Sequence, residues 1–248
     1  MGNVRLKEGE KLEDLQNGYQ IIQNKKFFSF GTDAVLLAHF AAAKPGDYIA
    51  DIGTGCGIIP ILLCARYPRI FVTGIEVQQE LADMAERSVA INGLEKQIRI
   101  VRGDLKEALC FVKKGADLVV ANPPYIRAGA GAQNESVYRN IAKREVMCTL
   151  DDVICAAAAL LGAGGRLCMI YTTGRFAELM VCMKNGKIEP KLIQFIAPMR
   201  GKAPNLVLVE GRKGAREGVR MLPTLEIFES GGVYTEQLKK IYGKKGDG

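Results

Sequence analysis

Between Asp47 and Met183, short apolar runs alternate with segments of helical periodicity, and this alternation leaves the chain few architectures to adopt. Tyr48–Ile52, Ile70–Ile75, Ile98–Val101, Asp117–Ala121 and Arg166–Tyr171 read as strands, being short and mostly apolar. Ile58–Tyr67, Leu81–Ile91 and Leu150–Leu161 read as helices between them. In the second, Leu81, Met84, Ala85 and Val89 recur on one helical face before Asn92-Gly93 supplies a stop. Thr149 and Asp152 have the spacing of a capping box for the third. A helix over Arg175–Met183 precedes two last strands, Lys191–Ile196 and Leu206–Val209, with only a loop between them. Such alternation predicts an α/β fold, a doubly wound, seven-stranded, mostly parallel sheet with helices on both faces. The loop-joined final pair predicts an antiparallel C-terminal hairpin at the sheet edge. Two stretches stand outside the pattern: 126–146, which reads as a long functional loop, and the basic, glycine-rich segment 211–220.

A chain of 248 residues suffices for one domain of this type. We expect a single unit over 1–248, comprising an N-terminal segment 1–45 that covers a cofactor, a catalytic core 46–213 and a basic C-terminal extension 214–248. No apolar run approaches the roughly 18 residues needed to cross a bilayer. The first twenty residues are polar and do not resemble a signal peptide, so a cytoplasmic address without membrane contact is expected. Seven scattered cysteines lack any C-x-x-C pair and read as buried thiols. With His39 as the lone histidine, expected to pack within an apolar helix, no metal site is anticipated. The formal charge of +7 leaves a polyanionic partner open without requiring one. No feature specifies an oligomer, and a monomer is the default.

Asp51-Ile52-Gly53-Thr54-Gly55-Cys56-Gly57 joins the first strand to the first helix. Alternate glycines let a backbone turn sharply and approach a ligand that any Cβ would obstruct. Ile58 stands where a dinucleotide fingerprint would place its third glycine. The spacing instead resembles the acidic glycine loop of S-adenosylmethionine (SAM)-dependent methyltransferases, which implies a class I methyltransferase fold. Glu76, 25 residues beyond Asp51, ends the second strand, where a carboxylate can accept from two ribose hydroxyls. Asp104 ends the third, where it can meet an adenine amine. Asp51, Gly53, Gly55, Gly57, Glu76 and Asp104 are therefore the principal SAM candidates. Upstream, Phe30-Gly31-Thr32-Asp33 leads into an apolar helix, Ala34–Ala42. Thr32 or Asp33 can cap that helix; by resemblance, Phe30 and Asp33 cover the methionine end of the cofactor.

Asn122-Pro123-Pro124-Tyr125 follows the fourth strand, beside the expected sulfonium. A planar exocyclic nitrogen is a poor nucleophile because its lone pair is delocalised. The Asn122 side-chain oxygen and the Pro123 carbonyl can each accept one of its N–H groups and stabilise the positive charge that develops. Consecutive prolines hold that carbonyl rigidly, and Tyr125 offers a face for an extruded base. Asn122, Pro123, Pro124 and Tyr125 are thus the catalytic candidates, with Asn122 also touching the cofactor. The motif fits adenine amines in DNA or RNA, guanine amines in ribosomal RNA and the glutamine amide of release factors. The glutamine enzymes carry a helical domain ahead of the glycine loop, for which the residues before Asp51 leave little room. A catalytically silent RNA-binding module is the non-enzymatic alternative, disfavoured by the intact Asn122 and Asp51.

Over nearly its whole length the chain resembles the bacterial tRNA(Val) adenine-37 N6-methyltransferases. The matching segments are residues 30–38, the glycine loop, Asn122–Tyr125, Ala142–Glu145 with Cys148–Leu150, Pro204–Glu210, and the ending Tyr234-Thr235-Glu236 with Ile241-Tyr242. The resemblance implies tRNA as partner, SAM as methyl donor and S-adenosylhomocysteine as product. Lys143, Arg144, Arg212, Lys213 and Arg216 become candidates for phosphate contact.

Overall fold

The computed structural model describes residues 5–15, 18–24, 31–124 and 148–243. Strands β1 (Glu10–Asp14) and β2 (Gln20–Asn24) form an antiparallel hairpin, followed by helix α1 (Thr32–Phe40). The core then runs β3 (Tyr48–Ile52), α2 (Ile58–Arg66), β4 (Phe71–Glu76), α3 (Gln79–Ile91), β5 (Ile98–Arg102), α4 (Ala108–Phe111) and β6 (Ala116–Ala121). After the 125–147 interval come α5 (Leu150–Leu160), β7 (Leu161–Thr172), α6 (Phe176–Asn185), β8 (Ile188–Met199), β9 (Leu206–Lys213), β10 (Arg220–Phe228) and α7 (Glu236–Ile241).

The main sheet has the order β10-β8-β9-β7-β6-β3-β4-β5. Within it β9 alone runs against its neighbours, pairing antiparallel with both β7 and β8. The seven expected strands and the antiparallel hairpin are all present. The hairpin is not the edge, however, because an eighth strand, β10, lies parallel to β8 outside it. Pro223 interrupts its pattern, and the register shifts between Leu222 and Leu225, as proline demands of an edge strand. The basic segment 211–220 divides between the end of β9, a connection and the start of β10. Gly211–Lys213 completes β9, and a Cβ at Gly211 would stand 2.3 Å from the Met183 terminal methyl.

Strands β3 and β6, at the centre of the sheet, are covered on both faces, and Ile49, Leu118 and Val119 are fully buried. The capping box of α5 forms as expected. The Thr149 hydroxyl accepts from the Asp152 amide at 3.2 Å, and the Asp152 carboxylate accepts from the Thr149 amide at 2.9 Å. Neither Thr32 nor Asp33 caps α1; the N-cap is Gly31, and both side chains belong to the first helical turn.

The β1–β2 hairpin, which periodicity did not reveal, is held to α3 by side chains of that helix. Buried Ser88 accepts from the Ile22 amide at 3.0 Å and donates to the Met84 carbonyl at 2.7 Å. Asn92 accepts from the Gln20 amide at 2.9 Å and donates to its carbonyl. Ser88→Ala leaves the buried Ile22 amide unsatisfied and should lower stability by about 1–3 kcal/mol. Urea unfolding measures this, and an unchanged midpoint would show that the hairpin is not held there.

Candidate active site

The order β6-β3-β4-β5 creates a topological switch point. The chain moves outward from β3 through β4 to β5, then returns to the other side of β3 as β6. Loops leaving β3 and β6 diverge there, opening the crevice in which doubly wound sheets bind ligands. Both sequence motifs leave strands at this point. The glycine loop follows Ile52 on β3, and Asn122-Pro123-Pro124 follows Ala121 on β6, its register partner.

Gly53, Gly55 and Gly57 adopt φ values of 75°, 58° and 88°, a region that strains residues bearing a Cβ. The loop folds back over β4, with the Gly53 and Thr54 amides both donating to the Ile75 carbonyl, at 2.9 and 3.0 Å. Gly55 donates to Glu76 Oε2 at 2.9 Å, while Glu76 Oε1 accepts from the Gln78 amide at 2.9 Å. Oε1 also accepts from the Gln78 side-chain amide at 3.5 Å, whereas Oε2 retains a lone pair. One position in this arrangement, Gly74, escaped the sequence reading. A Cβ at Gly74 would stand 2.7 Å from the Thr54 hydroxyl oxygen, so glycine on β4 makes room for the loop. A glycine inside a strand was the available signal.

Asp51 lies beneath this loop with no exposed surface, and neither carboxyl oxygen has a hydrogen-bond partner in bonding geometry. Burial pushes its pKa up to about 7, with the nearby Thr54 hydroxyl opposing the shift and the charge of Glu76 adding to it. A carboxyl group buried without partners is costly unless a ligand completes its surroundings. Asp104 differs in being exposed. Its carboxylate accepts from the Lys106 amide at 2.9 Å, and the Gly103 amide donates to the Glu76 backbone carbonyl at 3.0 Å, which brings the end of β5 beside that of β4.

Pro123 is buried, and Asn122 and Pro124 are half-buried; Tyr125 lies outside the described residues. Pro123 and Pro124 form one wall of a cavity of 140 Å³. Thr149 and Leu150 at the start of α5, with Tyr171 near the end of β7 and Arg175 beyond it, contribute further walls. The Arg175 guanidinium lies 5.4 Å from the centroid of the Tyr171 ring and donates to the Glu178 carboxylate at 2.6 and 2.7 Å. Neither residue was a sequence candidate, because only the pairing of β6 with β7 brings them beside the prolines.

The other candidates disperse. Asp33 is buried in the first turn of α1, whereas Phe30, Lys143 and Arg144 lie outside the described residues. Arg212 and Lys213 sit at the end of β9 that pairs with Arg166 and Ile188, at the opposite end of the sheet from the crevice. The Lys213 ammonium donates to the Ala158 and Leu161 carbonyls, at 2.5 and 2.8 Å, neutralising the C-terminus of α5. Arg216 follows in the turn after β9. These three do not meet the switch point. His39 is on α1 as expected, but it is exposed rather than packed. Cys56, Cys64, Cys168 and Cys182 are buried, whereas Cys110 and Cys155 are exposed, against the expectation of buried thiols. Among the described residues no cluster of three metal-ligating side chains occurs, and no helix is long and apolar enough to cross a membrane.

The family model described as methyltransferase small domain matches residues 24–184. A Porphyromonas gingivalis protein named tRNA1(Val) (adenine(37)-N6)-methyltransferase is 29% identical over 220 residues, spanning 85% of this chain and 86% of its own. A Haemophilus influenzae protein of the same name is 26% identical over 224 residues, spanning 88% and 91%. Among solved structures, a predicted O-methyltransferase from Agrobacterium tumefaciens superposes with a TM-score of 0.69 at 24% identity, covering 85% of this chain and 95% of its own. Geranyl diphosphate C-methyltransferase from Streptomyces coelicolor, solved with S-adenosyl-L-homocysteine, superposes with a TM-score of 0.54 at 16% identity, covering 73% and 77%. The fold is that of class I methyltransferases.

The raised Asp51 pKa predicts a pH-dependent cost of folding. Above the ordinary aspartate value of 3.8 the unfolded chain releases this proton, whereas the folded, ligand-free chain retains it up to about 7. The cost therefore grows with pH across that window and levels off above it. Asp51→Asn removes it, so its stability relative to the parent should improve by a few kcal/mol between pH 4 and pH 8. Thermal or urea unfolding across that range measures the difference, and a pH-independent difference would contradict the assignment.

Proposed function

Because the chain belongs to the methyltransferase small domain family, we propose that it transfers the methyl group of SAM to N6 of an adenine in tRNA, at position 37 of a valine tRNA. The observation that carries this reading is the position of Asn122-Pro123, which leaves β6 directly across the switch-point crevice from the glycine loop. The names of relatives that span most of the chain supply the substrate. A tRNA substrate places the activity in the cytoplasm.

The residues at the crevice fit SAM. The glycine loop leaves its surface open where side chains would stand, and the unpartnered Asp51 carboxyl suits a cationic ligand. Glu76 Oε2 retains a lone pair for a ribose hydroxyl, and Asp104, exposed at the next strand end, suits the adenine amine. When bound, SAM supplies the methyl group and leaves as S-adenosylhomocysteine. The remaining work falls to the protein. The Asn122 side-chain oxygen and the Pro123 carbonyl accept the two N–H groups of the target amine, localising its lone pair toward the methyl group. The Pro123 carbonyl is held by the consecutive proline rings before substrate arrives, and Asn122 follows directly on the buried end of β6. The amine proton leaves after transfer, so no strong general base is needed. The cavity lined by Pro124 and Tyr171 adjoins these acceptors.

Incubation with labelled SAM and separate samples of tRNA, ribosomal RNA, DNA and release factor tests the acceptor. Label in tRNA, recovered as N6-methyladenosine after digestion, is expected; label confined to another acceptor overturns the substrate assignment, and none in any acceptor overturns the enzymatic reading. Asn122→Ala should reduce turnover by on the order of a hundredfold or more, by analogy with removal of other preorganised acceptors or donors, and leave SAM affinity nearly unchanged. A parallel loss of SAM binding would reassign Asn122 to the cofactor.

A further inference from the structure

The parallel strands open the crevice at their carboxyl ends and collect their incoming connections at the opposite end of the sheet. Backbone contacts join these connections into one surface. The Gly46 amide donates to the Arg69 carbonyl at 2.7 Å, which places the turn before β3 beside the turn before β4. The Tyr48 amide donates to the Asp117 carboxylate at 2.9 Å, linking the starts of β3 and β6. The Gly115 amide donates to the Leu160 carbonyl at 2.9 Å, and a Cβ at Gly162 would stand 3.4 Å from the Gly115 Cα. The turn before β6 therefore meets the start of β7. Arg212 Nε donates to the Gly164 carbonyl at 2.9 Å, carrying the surface on to the end of β9. The Gly214 amide then donates to the Lys187 carbonyl at 3.0 Å and reaches the turn before β8.

This surface presents Lys44, Arg69, Lys113, Lys114, Lys187 and Arg212, each exposed. Its carboxylates are already engaged. Asp47 and Glu210 both face Arg166, at 3.5 and 3.4 Å, and Glu189 meets Lys184 at 2.6 Å. Glu217 lies in the turn after β9 beside Arg216, and both are exposed. Lys44, Arg69, Lys113, Lys114 and Lys187 form no ion pair among the described residues. The crevice end has a different balance. There Arg175 pairs with Glu178, and Arg200 with both Glu226 and Glu229, while Glu76 and Asp104 add negative charge.

The shape of the basic surface follows from the strand order. With neighbouring strands about 4.8 Å apart, the row from Lys187 before β8 to Arg69 before β4 is roughly 25 Å long. Cations in such a row match a polymer whose negative charges repeat along a line, and they hold it without reading its sequence. The six residues of β6 separate this row from Asn122 by roughly 20 Å. One folded RNA covers that distance while a single base occupies the crevice.

We infer that the end of the sheet opposite the crevice is a second contact surface for the substrate RNA, holding the phosphate backbone of its body while the crevice takes the target adenine. This rests on the RNA reading given above. The crevice carries the chemistry, and the basic row adds affinity for the whole molecule over a short fragment, since each phosphate neutralised there releases counterions.

The test uses the full chain with Lys113→Ala, Lys114→Ala and Lys187→Ala combined, a urea midpoint equal to the parent's confirming the fold. The KM for full-length tRNA should rise on the order of tenfold, and the slope of log affinity against log salt should shrink by about 2 to 3. The KM for a short single-stranded oligonucleotide carrying the target adenine should hold, as should kcat at saturation and SAM affinity. In the parent, tRNA binding should weaken with salt more steeply than oligonucleotide binding, a comparison that needs no variant. An unchanged tRNA KM and salt slope, or an equal rise in KM for both substrates, would overturn the inference. Anionic phospholipid vesicles that bind the parent through these lysines, with the tRNA KM unmoved by their loss, would assign the surface to a membrane and overturn it as well. A parent that methylates neither RNA would overturn the substrate reading instead, and gel-shift binding of tRNA to parent and triple variant would still decide the role of the basic row.

Discussion

The hydrogen bond from the Gly55 amide to Glu76, at 2.9 Å, closes the glycine loop over a carboxyl group that has no partner of its own, and the rest of the crevice is arranged around that closure. It joins the end of β3 to the end of β4 and keeps Glu76 at the rim, while Asp51 remains fully buried below. Burial keeps Asp51 protonated to about pH 7, and the charge of Glu76 adds to the effect. The glycines make this geometry accessible, since three of the five loop positions after Ile52 have positive φ. Gly74 clears the space into which Thr54 packs. The arrangement is poised for a ligand that brings positive charge and hydroxyl groups together, as SAM does.

The doubly wound topology then determines what this ligand faces. Because β6 returns beside β3, Asn122 and Pro123 emerge opposite the glycine loop although some seventy residues separate the two motifs. Pairing of β6 with β7 brings Tyr171 and Arg175 to the same end and completes the cavity beside the prolines. At the other end of the sheet, Arg212 and Lys213 make structural contacts. Lys213 satisfies the terminal carbonyls of α5, and Arg212 donates to the Gly164 carbonyl at 2.9 Å.

Local signals carried much of this arrangement. The seven strands of the central sheet, the helices α2, α3 and α5 and the capping box at Thr149 follow from periodicity and end chemistry, because each has a clear apolar face or a specific terminal residue. The glycine loop was legible for the same reason, since few sequences place three glycines at alternate positions after a strand. What escaped depended on partners distant in sequence. Strand β10 exposes Arg220 and Met221, contains Pro223 and gains its identity only by pairing with β8. The β1–β2 hairpin is short and polar on one side and depends on Ser88 and Asn92 of α3. The basic cluster was visible as charge, but charge along a sequence carries no information about which end of a sheet it will occupy.

The central claim is that the buried Asp51 carboxyl receives its counter-charge from the cofactor. Calorimetric titration of SAM into the ligand-free protein at pH 6.5, in buffers with different ionisation enthalpies, tests it most directly. At that pH most Asp51 carboxyls are still protonated, given a pKa of about 7, and a cationic ligand favours their ionisation. The account predicts net proton release on binding at pH 6.5, fading as the pH is raised above about 8. Binding with no proton release at pH 6.5 would contradict it.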